Sequence, residues 1–423
     1  MPIGICIYED SKFSQFFPLT YLRPVYLLRA GIYPLFRRAA WYFPESDISF
    51  AARDQIGPLI AEQHHDFPLG MIQRNYEDVL FLNGRIRKFG NLAQLVAESR
   101  LTTVFHNGDE TVGVIFKRES VESIPKLATP KEYLDQFQAE RKDIPDFETS
   151  ATLYHYPWEI MADIEAEIVR DFETVRENYR RPSRVSVHSG AYVLNQELVL
   201  LENDVEVMPG AVIDATRGPV YVGQNTRIEP HAAIYGPCYI GPNSVVLAGK
   251  VTASSIGHTC RVGGEIEESV FHAYVNKYHA GFIGHSYVGQ WVNFGAMTTN
   301  SDLKNNYSNI RVSLNGESID TGMMKVGSFI GDHTKFGIGT LLTTGINIGV
   351  CCNLFGGSLI SDKEVPPFQW GNTGNYVGYE FDKAMVTARR AAERRNCTLS
   401  ECEEAVLRSV YEDAQPSEGI VEF

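Results

Sequence analysis

VGQNTR (222–227), IEPHAA (228–233), IYGPCY (234–239) and IGPNSV (240–245) place one branched aliphatic residue every six positions: Val222, Ile228, Ile234, Ile240 and then Val246. IGHTCR (256–261) and VGGEIE (262–267) continue the pattern, and the same beat returns as Ile330, Phe336, Leu342, Ile348, Leu354 and Ile360. A period of six fits neither the 3.6-residue helix nor the alternation of a strand. It fits a coil of three short flat faces, one hexapeptide each, with the aliphatic side chain turned inward at every corner, the sequence mark of a β-solenoid. Gly, Asn, Pro and Ser fill the positions that follow, as tight turns require. The solenoid is expected over 184–370, roughly ten turns of ~18 residues, fewer where loops interrupt. Its clearest interruption is the polar, Asn-rich SDLKNNYSNIRVSLNGESIDTG, Ser301 to Gly322. A long insertion on a regular scaffold is where function concentrates.

Outward from the solenoid, residues 1–118 read as an α/β domain. IGICIY, DISFAA and DVLFLNG are predicted strands, and LFRRAAWYF and NLAQLVAESR predicted helices. That alternation suggests a mainly parallel sheet. Residues 119–183, with KEYLDQFQAERKD and PWEIMADIEAEIVRDFETV, read as a helical bridge. After Pro366, Pro367 and Trp370 the beat stops, and 371–423 read as two amphipathic helices capping the solenoid's open end.

Composition narrows the function class. The chain has 423 residues, 44% hydrophobic and 21% charged, which suits a soluble globular protein of two or three domains. Its net charge of −14 argues against a general nucleic-acid partner, because a phosphate backbone needs a basic face. Small anionic substrates remain open, since a local Arg cluster overrides the global field. No apolar run reaches the ~18 residues of a membrane span. The opening MPIGICIYEDSKF has no basic region ahead of Glu9 and Asp10, unlike a signal peptide. The seven cysteines form no CxxC pair and read as reduced thiols, which with the foregoing suggests a cytoplasmic protein. His272, His279 and His285 lie seven and six residues apart, and no metal site is assigned to them. The run Arg389-Arg390…Arg394-Arg395 reads as the solvated face of the capping helix, with coenzyme phosphates as the sharper alternative.

The richest stretch is Lys277-Tyr278-His279-Ala280-Gly281-Phe282-Ile283-Gly284, followed by VGQWVNFGAMTTNSD. It resembles the acetyltransferase half of the bifunctional N-acetylglucosamine-1-phosphate uridyltransferase/glucosamine-1-phosphate acetyltransferase family, GlmU. The resemblance extends to GDHTKFGIGTLLTTGINIGVCCNLFGG, VPPFQWG, PLTYLRPVYLLRAGI and PWEIMADIEAEIVRDFE, so it spans most of residues 18 to 370. It implies a nucleotidyltransferase-like domain fused to a left-handed parallel β-helix, assembled as a homotrimer with active sites between neighbouring coils. It puts His279 at the general base and Phe282 where the family has a substrate-binding Tyr. Asn293 takes the substrate-contacting Asn position, and Ala296 the position whose backbone faces the acyl donor, acetyl-CoA or another acyl-CoA. Asn300 or Asp302 covers a later Asn, Lys304 a phosphate contact, and Lys277 helps position substrate. An amine attacking a thioester must lose a proton, and a His of pKa near ~6.5 suits that task. Backbone N–H groups of the Gly-Ala turn suit the oxyanion.

Toward the N-terminus the match to sugar-phosphate nucleotidyltransferases is partial. Pro18-Leu19-Thr20 and Pro24 are present, but EDSKFSQFF stands where the family has a Gly-rich phosphate loop, and Val25 where it has a catalytic Lys. LFLNGRI (80–86) resembles the strand that ends in Gly-Asp, the Asp binding Mg²⁺, yet Arg85 follows Gly84. A guanidinium cannot ligate a cation, which leaves Mg²⁺ open, with Asp10 or Glu9 as substitute carboxylates. Arg23 and Arg29 are candidate phosphate clamps. The leading expectation is acyl-CoA-dependent acyl transfer to an amino-sugar phosphate or nucleotide sugar, beside an N-terminal nucleotidyltransferase domain that is active or degenerate. Two alternatives stay open: a sugar-phosphate nucleotidyltransferase whose solenoid only oligomerises it, and a non-catalytic nucleotide-sugar-binding scaffold.

Overall fold

The computed structural model describes residues 3–69, 76–117, 144–180 and 182–414. The chain forms two compact units: Met1–Phe16, Leu22–Leu28 and Tyr33–Tyr156 in one, and Phe17–Tyr21, Arg29–Ile32 and Pro157–Phe423 in the other. The KEYLDQFQAERKD part of the expected bridge lies outside the described residues.

The first unit is built on strands β1 (Gly4–Tyr8), β2 (Asp47–Ala51), β3 (Asp78–Asn83), β4 (Ile86–Lys88), β5 (Thr103–Asn107), β6 (Glu110–Lys117), β7 (Asp146–Glu148) and β8 (Thr152–Leu153). Six of them make one sheet in the order β2-β1-β3-β6-β5-β7. β1 runs parallel to β2 and β3, as the alternating pattern predicts, while β6 lies antiparallel between β3 and β5. The GIC and DVLFL runs are buried nearly throughout, as expected of central strands covered on both faces. Residues 146–148 and 152–153, read from sequence as part of the bridge, are instead strands paired to β5 and β4. Helices Pro157–Ala162 and Ile164–Asn178 then begin the second unit's main segment.

The second unit is the solenoid. Every aliphatic position of the hexad pattern is buried, and successive coils stack in parallel register. One inward column runs Val222, Ile240, Ile256, Phe271, Val288, Ile330, Ile348, Val365. Its face is a nine-stranded sheet, close to the roughly ten turns expected. A second column runs Val207, Ile228, Val246, Val262, Lys277 and continues as Phe294, Phe336, Leu354. A third runs Ile213, Ile234, Val251, Ile266, Ile283 and resumes as Asn300, Leu342, Ile360. Two polar residues, Lys277 and Asn300, therefore take core positions.

The insertion is a hairpin, a feature the sequence reading did not include. Arg311–Leu314 pairs antiparallel with Glu317–Asp320 across Asn315-Gly316, both at positive φ (54° and 79°), as a tight two-residue hairpin turn requires. The Glu364 carboxylate accepts the N–H groups of Asn315 (2.8 Å) and Gly316 (3.0 Å), tying the tip to a later coil. The neck is closed by the bridge between Leu303 and Lys325 and by the Val326 N–H, which donates to the Asp302 carbonyl. The two capping helices are Phe381–Glu393 and Glu401–Ala414.

Candidate functional site

Strand Asn276–Lys277 leads directly into the corner that carries His279. The corner above it is 296–297: the Met297 N–H donates to the Ala280 carbonyl at 2.9 Å, and the Gly339 N–H to the Ala296 carbonyl at 2.8 Å. His279 and Ala296 thus sit on one corner of adjacent coils, a strand spacing of ~4.8 Å apart. The close stacking depends on Gly281, at φ 126°, where an added Cβ would lie 2.1 Å from the Thr298 carbonyl oxygen. The His279 ring is exposed, with the Tyr278 ring edge-on at 5.2 Å. Above Ala296 the corner opens into a groove of about 690 Å³ lined by Met297, Ile338, Phe355 and four glycines. Gly295 spends its N–H on the Phe336 carbonyl, which leaves the Ala296 N–H as the donor of the Gly-Ala turn.

Other expected site residues lie elsewhere. Lys277 is 1% exposed and points inward; its Nζ donates to the carbonyls of His279 (2.5 Å) and Gly263 (3.3 Å). Burial pulls its pKa down to about 8. The expectation that Lys277 positions substrate is corrected: it props the corner from inside. Asn300, also expected to touch substrate, is 2% exposed and serves Gly284 from within the coil. Its Oδ1 accepts the Gly284 N–H at 2.9 Å, and its Nδ2 donates to the Gly284 carbonyl (2.9 Å) and Ser286 Oγ (3.1 Å). A backbone that turns off into the insertion needs these polar partners where an aliphatic residue would offer none. Asn293 faces outward on the flat face that leads to the corner and accepts the Asn276 amide at 2.8 Å. Phe282 is half-buried on the following face, its ring against Gly284. Lys304 stays within the insertion, donating to the Asn309 carbonyl at 2.6 Å.

His285 is held as an imidazolium. Burial would lower its pKa, but Asp302 (2.8 Å from Nδ1) and Glu268 (3.1 Å from Nε2) outweigh that and lift it to about 9. Asp302, the alternative to Asn300 in the expected site, is thereby committed to anchoring the insertion.

The two candidate arginine clamps belong to different units. Arg29 secures the Arg29–Ile32 segment to the solenoid: its guanidinium lies 5.2 Å over the Tyr239 ring and donates to the Ile32 carbonyl, and its backbone N–H donates to Tyr287 Oη at 2.8 Å. Arg23 is buried in the first unit. The decisive residue there is Arg85, 2% exposed. Its guanidinium donates to Asp10 (2.8–3.1 Å), to Glu110 (2.8 Å) and to the Tyr154 carbonyl (2.6 Å). Lys12 and His155 each reach Glu110 at 2.6 Å. Burial would raise the Glu110 pKa, but the bonds from Lys12, Arg85 and His155 and the Arg85 charge hold it down at about 2. Glu9 is paired with Arg53 at 2.6 Å. These carboxylates are neutralised by protein cations, and no group of three metal-ligating side chains occurs among the described residues. The site does not fit Mg²⁺. Sequence pattern showed Arg85 in the place of the missing ligand but not Glu110 and His155, which only the folding of β6 and the 154–155 segment brings to it.

Residues 5–180 match the model of the sugar nucleotidyl transferase family. The chain is 28% identical over 171 residues to the bifunctional sugar-1-phosphate nucleotidylyltransferase/acetyltransferase of Sulfurisphaera tokodaii, covering 40% of this chain and 41% of that protein. It is 25% identical over 152 residues to the bifunctional protein GlmU of Methanococcus maripaludis, covering 36% and 33%. The aligned stretches thus span less than half the length of either relative. Among solved structures, the UDP-N-acetylglucosamine acyltransferase from Campylobacter jejuni is similar at a TM-score of 0.32 and 15% identity, over 53% of this chain and 95% of that one. A segment similar to sugar nucleotidyl transferases thus precedes the hexapeptide solenoid, and the chain is similar over part of its length to proteins named as bifunctional nucleotidylyltransferase/acetyltransferases.

Proposed function

We propose that the solenoid transfers an acyl group from acetyl-CoA or another acyl-CoA to the amine of an amino-sugar phosphate or nucleotide sugar at the His279 corner. The observation that carries this is the exposed imidazole of His279 stacked one coil from Ala296, at the foot of a glycine-lined groove. The amine nitrogen attacks the thioester carbonyl carbon, His279 takes the proton the amine loses, and the C–S bond breaks with the thiolate leaving. The Ala296 N–H is the donor offered to the oxyanion. Glycines along the groove let an extended acyl-CoA arm lie close to the backbone. Exposed Met297, Ile338, Leu341 and Leu359 give the solenoid apolar surface for a neighbouring subunit to cover, which supports a homotrimer. No helix among the described residues is long and apolar enough to cross a membrane, and we assign the protein to the cytoplasm. The N-terminal domain, with Arg85 across its carboxylates, supports binding of a sugar phosphate or nucleotide sugar without metal-dependent nucleotidyl transfer.

Thiol release from acetyl-CoA with glucosamine 1-phosphate, measured for wild type and His279→Ala, tests the reading. Turnover is expected to fall at least ~10²-fold in the variant, the usual worth of a general base. Equal turnover in the two proteins would remove His279 from the mechanism.

A further inference from the structure

Between the first capping helix and the solenoid lies a cleft of about 310 Å³ whose lining includes Lys335, Arg390, Arg394 and Arg395 and no carboxylate. In a chain of net charge −14 this is a sharp local reversal. The solenoid wall is an outward ladder in which Arg261, Asn276, Asn293 and Lys335 follow one another on successive coils. Asn276 donates to Asn293 Oδ1, which leaves the Asn293 amide N–H groups turned to the cleft without a partner among the described residues. On the helix side, Arg390, Arg394 and Arg395 form no ion pair among the described residues, whereas Arg389, one position away, is paired with Glu404. Arg395 Nε is buried with no hydrogen-bond partner. Burial and then the charges of Arg261 and Arg394 pull its pKa down, the mark of cations crowded together without a counter-ion.

A second feature is independent of charge. The corner beside this face is left-handed on coil after coil, at Asn225, Asn243 and Thr259 and then at Tyr274, Trp291 and His333, with φ of 55–62°. Asn takes that conformation readily, whereas bulky side chains do so rarely. Here they build a continuous wall: the Tyr274 and Trp291 rings stack at 4.0 Å, with the His333 ring nearly parallel at 6.3 Å from Trp291. The left-handed corner itself recurs along the solenoid, at Cys351 and Phe368 as well, and what is particular to this level is a stack of flat rings beside a basic cleft.

We infer that this cleft binds a small phosphorylated ligand carrying a diphosphate or an equivalent cluster of phosphate charges, gripped between the helix arginines and the Asn293 amide, with Lys335, whose Nζ donates to the Trp291 carbonyl, adding positive charge behind them. Planar guanidinium forks match phosphate oxygens, and the buried Arg395 Nε gains the acceptor it lacks. The site stands apart from acyl transfer: it requires only the cleft, whatever the His279 corner does.

Isothermal titration at low ionic strength with inorganic pyrophosphate, ADP and adenosine tests it on the full chain. Pyrophosphate and ADP are expected to bind and adenosine not. Comparable affinity for the first two assigns recognition to the phosphates; tighter ADP adds the nucleoside to what the wall holds. The Arg394→Gln/Arg395→Gln double variant is expected to bind both at least ~10-fold more weakly, as loss of charge-assisted hydrogen bonds dictates. Arg389→Gln and His279→Ala are expected to bind as wild type. If the double variant does not fold, exposed Arg390→Gln supplies the comparison, with a smaller loss in the same direction. Absence of binding at millimolar pyrophosphate, or affinity unmoved in a folded arginine variant, overturns the inference. A turnover loss in His279→Ala with pyrophosphate binding intact keeps the two proposals separable.

Discussion

Asn300→Leu puts into the third column an aliphatic residue like its upper neighbours Leu342 and Ile360, and it is expected to destabilise the solenoid by about 1–3 kcal/mol. Leu would add apolar surface among Ile283, Leu342 and Ile360. Against that gain, the buried Gly284 N–H loses its acceptor, Asn300 Oδ1 at 2.9 Å. An orphaned buried donor forfeits its full desolvation cost, about 1–3 kcal/mol. The Gly284 carbonyl suffers less, because Ser286 Oγ still donates to it at 2.8 Å. Ser286 Oγ loses one of its donors but still accepts the Ser328 N–H at 2.9 Å. Asn300→Ala adds a cavity to the same loss and is expected to cost about 3–4 kcal/mol. Urea unfolding followed by circular dichroism separates these values. A Leu variant as stable as wild type would show that the column, not the hydrogen bonds, governs this position.

The larger loss is expected from Arg85→Met in the first unit. Removing one partner from a buried ion-pair network leaves the others as uncompensated charges, a cost of about 3–5 kcal/mol. Asp10 and Glu110 would lose their shared cation, and the Tyr154 carbonyl its donor. The effect carries a pH signature. Glu110 is held at about 2 against an ordinary 4.5, so its contribution is fully present above 4.5 and is lost as pH falls toward 2. In Arg85→Met that acid limb shrinks, because the carboxylate no longer gains from ionisation in the folded state. Hydrogen exchange of the β1 and β3 amides from pH 2 to pH 6 reads the first unit separately from the solenoid. An acid limb of the same size in both proteins would place the Glu110 shift with Lys12 and His155 instead.

Much of the architecture was legible because a solenoid writes its geometry into sequence one rung at a time. Val222 through Val246, and Ile330 through Ile360, fall inward as the sixfold beat requires. The reading failed where the beat and the resemblance competed. Lys277 lies six residues before Ile283, and Asn300 six after Phe294, so both stand in phase with the core. Their polarity invited a substrate role, but both side chains are turned inward onto backbone groups. The hairpin turn is written in Asn315-Gly316 between Val312 and Ile319, inside a stretch that is otherwise polar. The basic run at Arg389–Arg395 was only half legible. Arg389 is spent on Glu404, as a surface reading expects, while its neighbours face a cleft that depends on how the helix docks. At Arg85, sequence revealed the loss of a carboxylate, and folding revealed which anions the guanidinium had acquired.

In a stack where each coil touches only the coils above and below, apolar contact is the mortar between courses. Lys277 and Asn300 lie in adjacent coils, and immediately after Asn300 the chain departs for its hairpin. Three departures from a dry aliphatic joint therefore fall at one level. At that level two of the three inward columns carry a polar residue, and the join between lower and upper coils rests on the unbroken column through Phe271, Val288 and Ile330. The His279 corner therefore stands where the stack has the least aliphatic mortar, held by hydrogen bonds from Lys277 and Asn300 to backbone groups.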